Sequence, residues 1–236
     1  MPASPSPTPA LRRRQRVHDA VRELMAEQGF RVSMDAVAAR AGCSKQTLYS
    51  YFGSKQELMR SVMQEHLDLA TARLDDQHGE HGEHGDLRTT LLAFATEHLQ
   101  RLSEPHVITT CQLLSAEAAL FPEEARTLYR DGCDTLQQRL AEWLDLAMRR
   151  GQLRHDDPHC ASELLLGMIV GLDFERQRFA VPHRDADAVR QRWAEFAVDA
   201  FLRAFSPVAT TSADPVSLFA IPPSNRFDTD SGASLP

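Results

Sequence analysis

Cysteine is scarce in this sequence of 236 residues, and the four cysteines are widely separated. Cys43, Cys111, Cys133 and Cys160 lack the CxxC spacing of structural zinc sites and of redox pairs. A disulfide framework is equally unsupported, since such frameworks belong mainly to small secreted domains that are dense in cysteine. The cysteine pattern therefore excludes those classes and suits a reducing compartment.

Long hydrophobic runs are also missing from the sequence. The longest apolar stretch covers residues 164–172, whereas a membrane-spanning helix needs roughly 18 apolar residues. The arginines near the N-terminus are not followed by the apolar core of a signal peptide. We therefore expect a soluble, cytoplasmic protein without a membrane partner.

Catalytic signatures are absent too: there is no GxSxG elbow, no phosphate-cradling glycine-rich loop and no HExxH helix. We therefore predict a protein that is not an enzyme and has no cofactor. The alternation of apolar and polar residues that marks half-buried strands forms no convincing pattern either. Helix signals recur instead, and they predict an all-α fold.

A compact helical unit occupies residues 33–55. Ser33 is placed to cap a helix whose apolar residues recur at the spacing of a buried face. Gly42 ends that helix, and Ser44 caps a second helix in which Leu48 faces the core. Two short helices joined by a tight turn are typical of a unit that reads DNA.

The second of these helices offers polar side chains outward near its N-terminus, as a helix in the major groove requires. The predicted DNA-binding residues share this outward position on or beside the helix: Ser33, Ser44, Lys45, Gln46, Thr47, Tyr49, Ser50 and Lys55. Among them, Gln46 and Thr47 are placed to reach base edges. Lys45 and Lys55 suit phosphate contacts, which fix position without reading sequence.

Charge is divided unevenly along the chain. Residues 1–55 hold nine Lys and Arg against four Asp and Glu, a net charge of +5. The remainder holds seventeen against twenty-nine, a net charge of −12, and the two parts sum to the overall −7. A basic N-terminal region fits DNA binding, because phosphate neutralisation supplies most non-specific affinity. Its arginine run, LRRRQR at 11–16, predicts either an extra DNA contact or a solvated helix end.

The segment SMDAVAARAGCSKQTLYSYFGSKQEL at 33–58, with Gly29 and Phe30 before it, resembles the N-terminal domain of TetR/AcrR family regulators. A looser resemblance, through EAALFPEEARTLYR at 117–130 and RRGQLR at 149–154, links the body to the AefR-like branch. The family resemblance implies a homodimer that binds double-stranded DNA at a palindromic operator. It further implies a repressor, associated with the nucleoid when bound to DNA, that a small-molecule effector releases.

The predicted organisation is a three-helix helix-turn-helix domain followed by a helical bundle for ligand binding and dimerisation. The segments are a flexible arm at 1–10, the DNA-binding domain at 11–56, the bundle at 57–205 and a disordered tail at 206–236. Helices are predicted at 11–28, 54–74, 86–102, 105–118, 122–150, 158–179 and 185–205, besides the two short ones. A capping box of Ser54 and Glu57 starts the long helix that should carry a body movement to the reading helix.

Two sites are predicted in the bundle. Candidate pocket residues are apolar or weakly polar and lie on the central helices: Phe94, His98, Leu102, Cys111, Leu114, Phe121, Tyr129, Met168, Leu172 and Phe174. Candidate dimer residues form small or apolar stripes on the last helices: Gly167, Gly171, Trp193, Phe196 and Ala200.

A metal- or redox-responsive regulator is the alternative interpretation. His78, His81 and His84 recur every three residues among carboxylates, and imidazole with carboxylate can hold zinc or nickel. The intervening glycines indicate a linker instead, so no metal site is assigned. Cys43 adjoins a helix N-terminus, which is a setting for a reactive thiol.

Overall fold

The computed structural model describes residues 8–75 and 86–207, and almost all of these residues lie in helices. The α-helices are α1 (Pro9–Gln28), α2 (Met34–Ala41), α3 (Lys45–Phe52), α4 (Lys55–Asp75), α5 (Leu87–Leu102), α6 (Pro105–Glu117), α7 (Pro122–Tyr129), α8 (Thr135–Arg149), α9 (Pro158–Val170), α10 (Asp173–Arg178) and α11 (Asp187–Ala204). A 3₁₀ turn at Gly29–Arg31 follows α1, and a π-helical turn at Arg130–Asp134 joins α7 to α8. The predicted all-α fold is confirmed.

Helices α1 to α3 and the first half of α4 enclose one apolar core. Its buried residues are Val17, Ala20, Val21, Leu24, Val32, Met34, Val37, Ala38, Ala41, Leu48, Leu58 and Val62. Small alanines on α2 let the helices cross closely, and Leu48 of α3 is 1% exposed. We call residues 8–62 the head.

The starts of the first three head helices carry side-chain caps, and those of Ser33 and Ser44 are the ones that the sequence predicts. Thr8 accepts a hydrogen bond from the Leu11 N–H at 3.3 Å, and Ser33 accepts one from Ala36 at 3.1 Å. Ser44 accepts one from Thr47 at 3.1 Å. Each cap pairs a backbone donor that would otherwise lack an intrahelical partner.

The predicted capping box at the start of α4 is formed only by half. Ser54 accepts from the Glu57 N–H at 3.1 Å, as expected. The Ser54 N–H donates instead to the Phe52 carbonyl, and the Glu57 carboxylate pairs with Arg60 one turn further on. The Glu57 side chain therefore pairs with the Arg60 guanidinium, which is not part of the capping-box motif, and does not bond the Ser54 N–H.

A second apolar core lies among α5, α8, α9 and α11, and residues 63–207 are called the body. Leu91, Phe94, Leu144, Leu165 and Phe201 are among its fully buried members. The last turns of α4 join this core through Leu74, whereas its first turns belong to the head core. One helix therefore connects the two cores, as the sequence predicted for the long helix after Ser54.

Two helices predicted as continuous are interrupted. The helix predicted at 122–150 contains the π-helical turn, where a Cβ on Gly132 would lie 3.1 Å from the Met63 sulfur of α4. The helix predicted at 158–179 ends at Val170, because Gly171 adopts a φ of +54° that stops it. The chain then restarts as α10 in another direction.

Within the described residues, no helix is both long enough and apolar enough to cross a membrane. Residues 1–7, 76–85 and 208–236 lie outside the described part of the chain. The predicted arm, most of the tail and the histidine linker with His78, His81 and His84 therefore keep the status of predictions, as do the domain boundaries.

Candidate DNA-binding surface and effector site

The outer face of α3 presents the polar residues that the sequence singles out. Gln46 and Ser50 are exposed, and Tyr49 is 43% exposed. Tyr51 is 53% exposed on the same helix and was absent from the predicted set, because its aromatic ring was not distinguished from core residues. Thr47 is half-buried and its hydroxyl bonds Ser44 at 2.8 Å, so Gln46 is the better placed residue for a base edge.

The two lysines of the chain occupy different settings. Lys45 is exposed and forms an ion pair with Asp35 of α2 at 2.8 Å, and this hydrogen-bonded carboxylate raises the pKa of Lys45. Lys55 turns inward: its Nζ donates to the Phe30 carbonyl at 2.8 Å, and burial lowers its pKa. The prediction that Lys55 contacts a phosphate at the surface is therefore corrected, because its ammonium group is hydrogen-bonded to the turn that follows α1.

The start of α1 lies beside the reading helix. Arg13 and Arg14 line a cleft together with Thr47 and Tyr51 of α3 and Cys43 of the preceding turn. Arg14 also donates to Ser61 of α4 at 3.2 Å. The arginine run therefore adds positive charge at one edge of α3, where a phosphate backbone would pass.

A polar network ties α1 to α4. His18 is fully buried, with Nδ1 2.7 Å from the Glu65 carboxylate and Nε2 2.8 Å from the Ser61 hydroxyl. Arg22 also pairs with Glu65. Burial lowers the pKa of His18, while the hydrogen bond that its ring N–H donates to Glu65 opposes that shift. No local pattern in the sequence indicates this network, because its members on α1 and on α4 are more than 40 residues apart.

The head meets the body at a set of contacts that we call the head–body latch, formed by Gly29–Arg31, Lys55, Glu117 and Phe121. Glu117, the last residue of α6, is 4% exposed and accepts a hydrogen bond from the Phe30 N–H at 3.0 Å. Arg31 pairs with the same carboxylate, and its guanidinium lies 5.6 Å from the Phe121 ring. The Phe30 and Phe121 ring centroids are 5.9 Å apart.

Gly29 is required by this arrangement for two reasons. Its φ is +57°, a conformation that favours glycine, and a Cβ there would lie 2.2 Å from the Glu117 carboxylate oxygen. Leaving the buried Phe30 N–H unpaired would cost about 1–3 kcal/mol. The end of α6 is therefore fixed against the end of α1.

The predicted pocket residues separate into three groups. Those that are half-buried within the body are His98, Leu102, Cys111, Leu114, Met168 and Phe174. Phe94 is instead fully buried in the core, and Phe121 belongs to the head–body latch. Tyr129 and Leu172 are 62% and 70% exposed, so neither fits the wall of an enclosed pocket. The sequence showed that these residues are mostly apolar, but it did not show whether each side chain faces the core or the solvent.

Polar groups gather around the half-buried members of that set. His98 stacks on Phe94 with ring centroids 5.8 Å apart, and burial lowers the pKa of His98 to about 4, assisted by the charges of His66 and Arg101. Burial also lowers the pKa of His66. Burial raises the pKa of Cys111, so this thiol is held neutral. His98 and His66 thus lie near Arg101, whereas Cys111 lies near Arg178 and Cys133.

A candidate dimer surface lies on α9 and α11. Phe196 is 59% exposed, and Gly167 is exposed with open space around a Cβ placed on it. Ala200 is half-buried on the same helix as Phe196. These three residues remain candidates for contact with a second copy.

Gly171 and Trp193 have roles within the chain. The Trp193 indole N–H donates to the Ile169 carbonyl at 2.7 Å, and Arg184 stacks on its ring at 4.1 Å. A Cβ on Gly171 would lie 3.1 Å from both Trp193 and Arg184. Gly171 and Trp193 therefore pack against each other and Arg184 inside one chain, and their contact with a second copy stays a prediction.

Comparison with known families assigns the two cores separately. Residues 18–62 match the family described as bacterial regulatory proteins, tetR family. Residues 89–207 match the C-terminal domain of AefR-like transcriptional repressors. The chain belongs to the TetR family. It is thus a DNA-binding transcriptional regulator, and α3 lies within the segment that matches the tetR family.

Individual relatives of this TetR-family chain match either a part or the whole of it. The transcriptional activator FasR of Mycolicibacterium smegmatis is 41% identical over 61 residues, which are 25% of this chain and 28% of FasR. The chain matches its curated relatives over only 28% and 41% of their lengths.

Solved structures match almost the whole length. A TetR-family regulator from Mesorhizobium loti has a TM-score of 0.66 at 23% identity, over 85% of this chain and all of that one. The flavonoid-responsive regulator FrrA has a TM-score of 0.60 at 29% identity, over 84% and 99%. The fold of this TetR-family member is therefore shared along both head and body.

Metal-ligating side chains do not converge in the described part of this TetR-family chain, where no group of three His, Cys, Asp or Glu could hold an ion. Asp157, which lies among several His, Cys and Asp residues at 155–160, caps α9 by accepting from the His159 and Cys160 N–H groups at 2.8 and 2.9 Å. Cys43 is half-buried and lines the cleft beside Arg13.

Proposed function

We propose that this chain is a homodimeric repressor that binds a palindromic operator through α3 and releases it when a small molecule binds the body. The observation that carries the proposal is the exposed polar face of α3, with Gln46, Tyr49 and Ser50, on an N-terminal region of net charge +5. Base edges in the major groove are read by such side chains near the start of a helix.

The residues on this face divide between reading and positioning. Gln46 is exposed as the second residue of α3 and offers a bidentate amide to a base. Lys45 is assigned to a phosphate contact, in which the phosphate replaces Asp35 as its ion-pair partner. Ser44 and Ser33 support the site as helix caps, and Lys55 supports it from within by fixing the turn at Phe30.

A homodimer is required for tight binding, because one reading helix covers only a half-site. Two-fold symmetric dimers read half-sites separated by about 34–36 Å or a multiple of it. The dimer contact is assigned to the surface of α9 and α11. Leu164 on α9 and Phe196 on α11 are exposed apolar residues, and Gly167 on α9 has open space beside it. From this role we infer that the protein lies in the cytoplasm, where it is bound to DNA.

Release by an effector is supported by the position of α6. This helix carries half-buried Cys111 and Leu114 in its middle and the buried Glu117 of the head–body latch at its end. A ligand that moves α6 therefore acts on the turn at Phe30 and, through Lys55, on the start of α4. FrrA is named as flavonoid-responsive, which supports a small organic effector for this chain as well.

We infer repression, and not activation, from the family match of the body. Its match is to AefR-like repressors, whereas FasR is an activator that matches a shorter segment. In vitro transcription from a promoter that contains the bound fragment tests this point. Less transcript in the presence of the protein supports repression, and more transcript contradicts it.

DNA binding is tested by fluorescence anisotropy with the DNA upstream of its own gene and a scrambled duplex of equal length, titrated with salt. We expect tighter, salt-sensitive binding to the native fragment. Gln46→Ala should relax base preference at one position of each half-site, at a cost of about 1–3 kcal/mol. Lys45→Ala should weaken binding to both duplexes alike and reduce the salt slope by about one.

The two variants serve as controls for each other, since they change adjacent residues on the same face. Equal loss on native and scrambled DNA for Gln46→Ala would contradict its role as a base reader. Undiminished binding by both variants would place the DNA contact elsewhere than on α3.

A further inference from the structure

The body is packed loosely along one helix. Of the residues of α6, which is described in full, Glu117 is the one that is buried. Val107, Ile108, Leu113 and Leu114 are half-buried, although they are apolar. Helix α5 instead buries residues of the body core along its length: Leu91, Phe94, Ala95 and Leu99. The apolar side chains of α6 therefore keep surface that the described part of the chain leaves uncovered.

Arg101 lies at the end of α5 beside this space and lacks a partner for part of its guanidinium. Its Nη2 donates to the Leu69 carbonyl of α4 at 2.7 Å, but its Nη1 is buried and makes no hydrogen bond within the described residues. No carboxylate of the described chain lies within ion-pair distance of it, because Glu104 contacts His106 instead, at 3.4 Å. One buried nitrogen of Arg101 thus has no acceptor, although buried polar atoms in proteins are generally hydrogen-bonded, and an anion would supply that acceptor.

Two imidazoles lie near Arg101. His98 lies one turn before it on α5, and His66 lies on α4. Burial, with the charges of His66 and Arg101, lowers the pKa of His98 to about 4, so His98 presents an N–H group without a charge at neutral pH. Half-buried Leu102 follows Arg101 on α5, and half-buried Val107 and Ile108 are the first apolar residues of α6.

We propose that the effector is an organic carboxylic acid whose carboxylate pairs with Arg101 and accepts a hydrogen bond from His98 or His66, while its apolar part lies against α6. A carboxylate matches a guanidinium in geometry and forms the strongest class of hydrogen bond. This inference rests on the proposed function in one respect, namely that the body binds the effector.

The test compares acids with neutral analogues of the same shape on the full-length protein. Straight-chain carboxylates of four to ten carbons and a set of aromatic carboxylates are each paired with the corresponding primary amide at equal ionic strength. Binding is measured by calorimetry and by the shift in Tm for wild type, Arg101→Gln and Arg73→Gln. Arg73 is the matched control, since it also joins α4 to α5, through Glu97 at 2.7 Å.

We expect acids to bind wild type and Arg73→Gln at least about tenfold more tightly than their amides, and Arg101→Gln to lose this preference. Amides that bind as tightly as acids, an acid preference that survives in Arg101→Gln, or no stabilisation by any acid at millimolar concentration would each overturn the inference. Formate and acetate, which fit any accessible anion site, are included so that ligand size does not decide the outcome.

The same compounds are then added to the protein on its operator fragment. An acid that binds through Arg101 without changing DNA affinity would support the acid site and contradict release by this ligand. A neutral compound that releases DNA equally from wild type and Arg101→Gln would support effector release and contradict the acid site. Failure of the two proposals is thereby distinguished.

Discussion

The head and the body of this chain differ in how fully their apolar residues are buried and their polar groups are hydrogen-bonded. In the head, twelve buried apolar residues form one core, the first three helices have side-chain caps, and buried His18 has partners at both ring nitrogens. In the body, α6 leaves its apolar residues half-buried and Arg101 keeps an unpaired nitrogen. A surface that must match DNA needs one fixed shape, whereas a site that receives a ligand needs unsatisfied groups and space.

The largest expected difference is in the cost of truncating leucine. Leu48→Ala removes a side chain that is 1% exposed in the head core and should lower the free energy of unfolding by about 3–4 kcal/mol. Leu114→Ala removes a half-buried side chain on α6 and should cost less than about 1.5 kcal/mol. Urea unfolding of both variants measures the difference, and equal costs would contradict a loosely packed α6.

The junction between the two regions is tested by Gly29→Ala. The new Cβ would meet Glu117 and would also occupy a positive φ, so we expect a loss of about 3 kcal/mol of stability. Gly42→Ala is the control, since its φ is +65° but no atom lies within 4 Å of the added Cβ. It should cost about 1 kcal/mol. Similar Tm losses in the two variants would show that backbone strain alone, and not the head–body latch, makes Gly29 necessary.

Acid should destabilise the protein through His98. Its pKa in the folded state is about 4 against 6.5 for the unfolded chain, so below pH 6.5 the unfolded state binds a proton that the folded state refuses. Stability from this residue is thus fully present above pH 6.5 and falls as the pH drops towards 4, by about 2–3 kcal/mol. Stability measured from pH 7 to 4 should fall less in His98→Gln.

His106→Gln is the matched control for that profile, because His106 lies on α6 with a side chain that is 54% exposed. Its pH profile should follow that of wild type. If His98→Gln loses stability on acidification as steeply as wild type does, the protonation of His98 is not what weakens the fold.

The smallest effect is expected on the head surface, at Asp35. Asp35→Asn frees Lys45 from an exposed ion pair that contributes little to stability and removes one negative charge beside α3. We expect binding to native and scrambled DNA to tighten by about threefold, with no change in Tm. Asp19→Asn, which changes an exposed partner of Arg22 on α1, provides the comparison. Tighter binding confined to the native duplex would imply a role in base reading.

Local signals in the sequence predicted the ends of the short head helices. Ser33 and Ser44 cap helices as predicted, because a cap depends on residues within one turn. The inward turn of Lys55 was missed, since its partner carbonyl is 25 residues away. Exposed Tyr51 was missed for a related reason: aromatic character does not reveal which side of a short helix faces the core.

The body was predicted less completely, because its determining contacts join distant segments. Glu117 is 87 residues from Phe30, and nothing in the local pattern marks it as buried. The end of α9 depends on the φ of Gly171, which the apolar run at 164–172 conceals. Pocket residues were chosen for chemistry alone, so Phe94 in the core and Leu172 on the surface were included with half-buried ones such as His98.

The buried Glu117 also limits how this protein could be recombined with its relatives. A chimera that joined this DNA-reading unit to a foreign sensor at the middle of α4 would separate Gly29 and Phe30 from the carboxylate that fits them. A bulkier residue at the foreign equivalent of Glu117 would collide with the turn, and a shorter apolar one would leave an amide unpaired. A functional transplant therefore has to carry the last turn of α6 along with the first 62 residues.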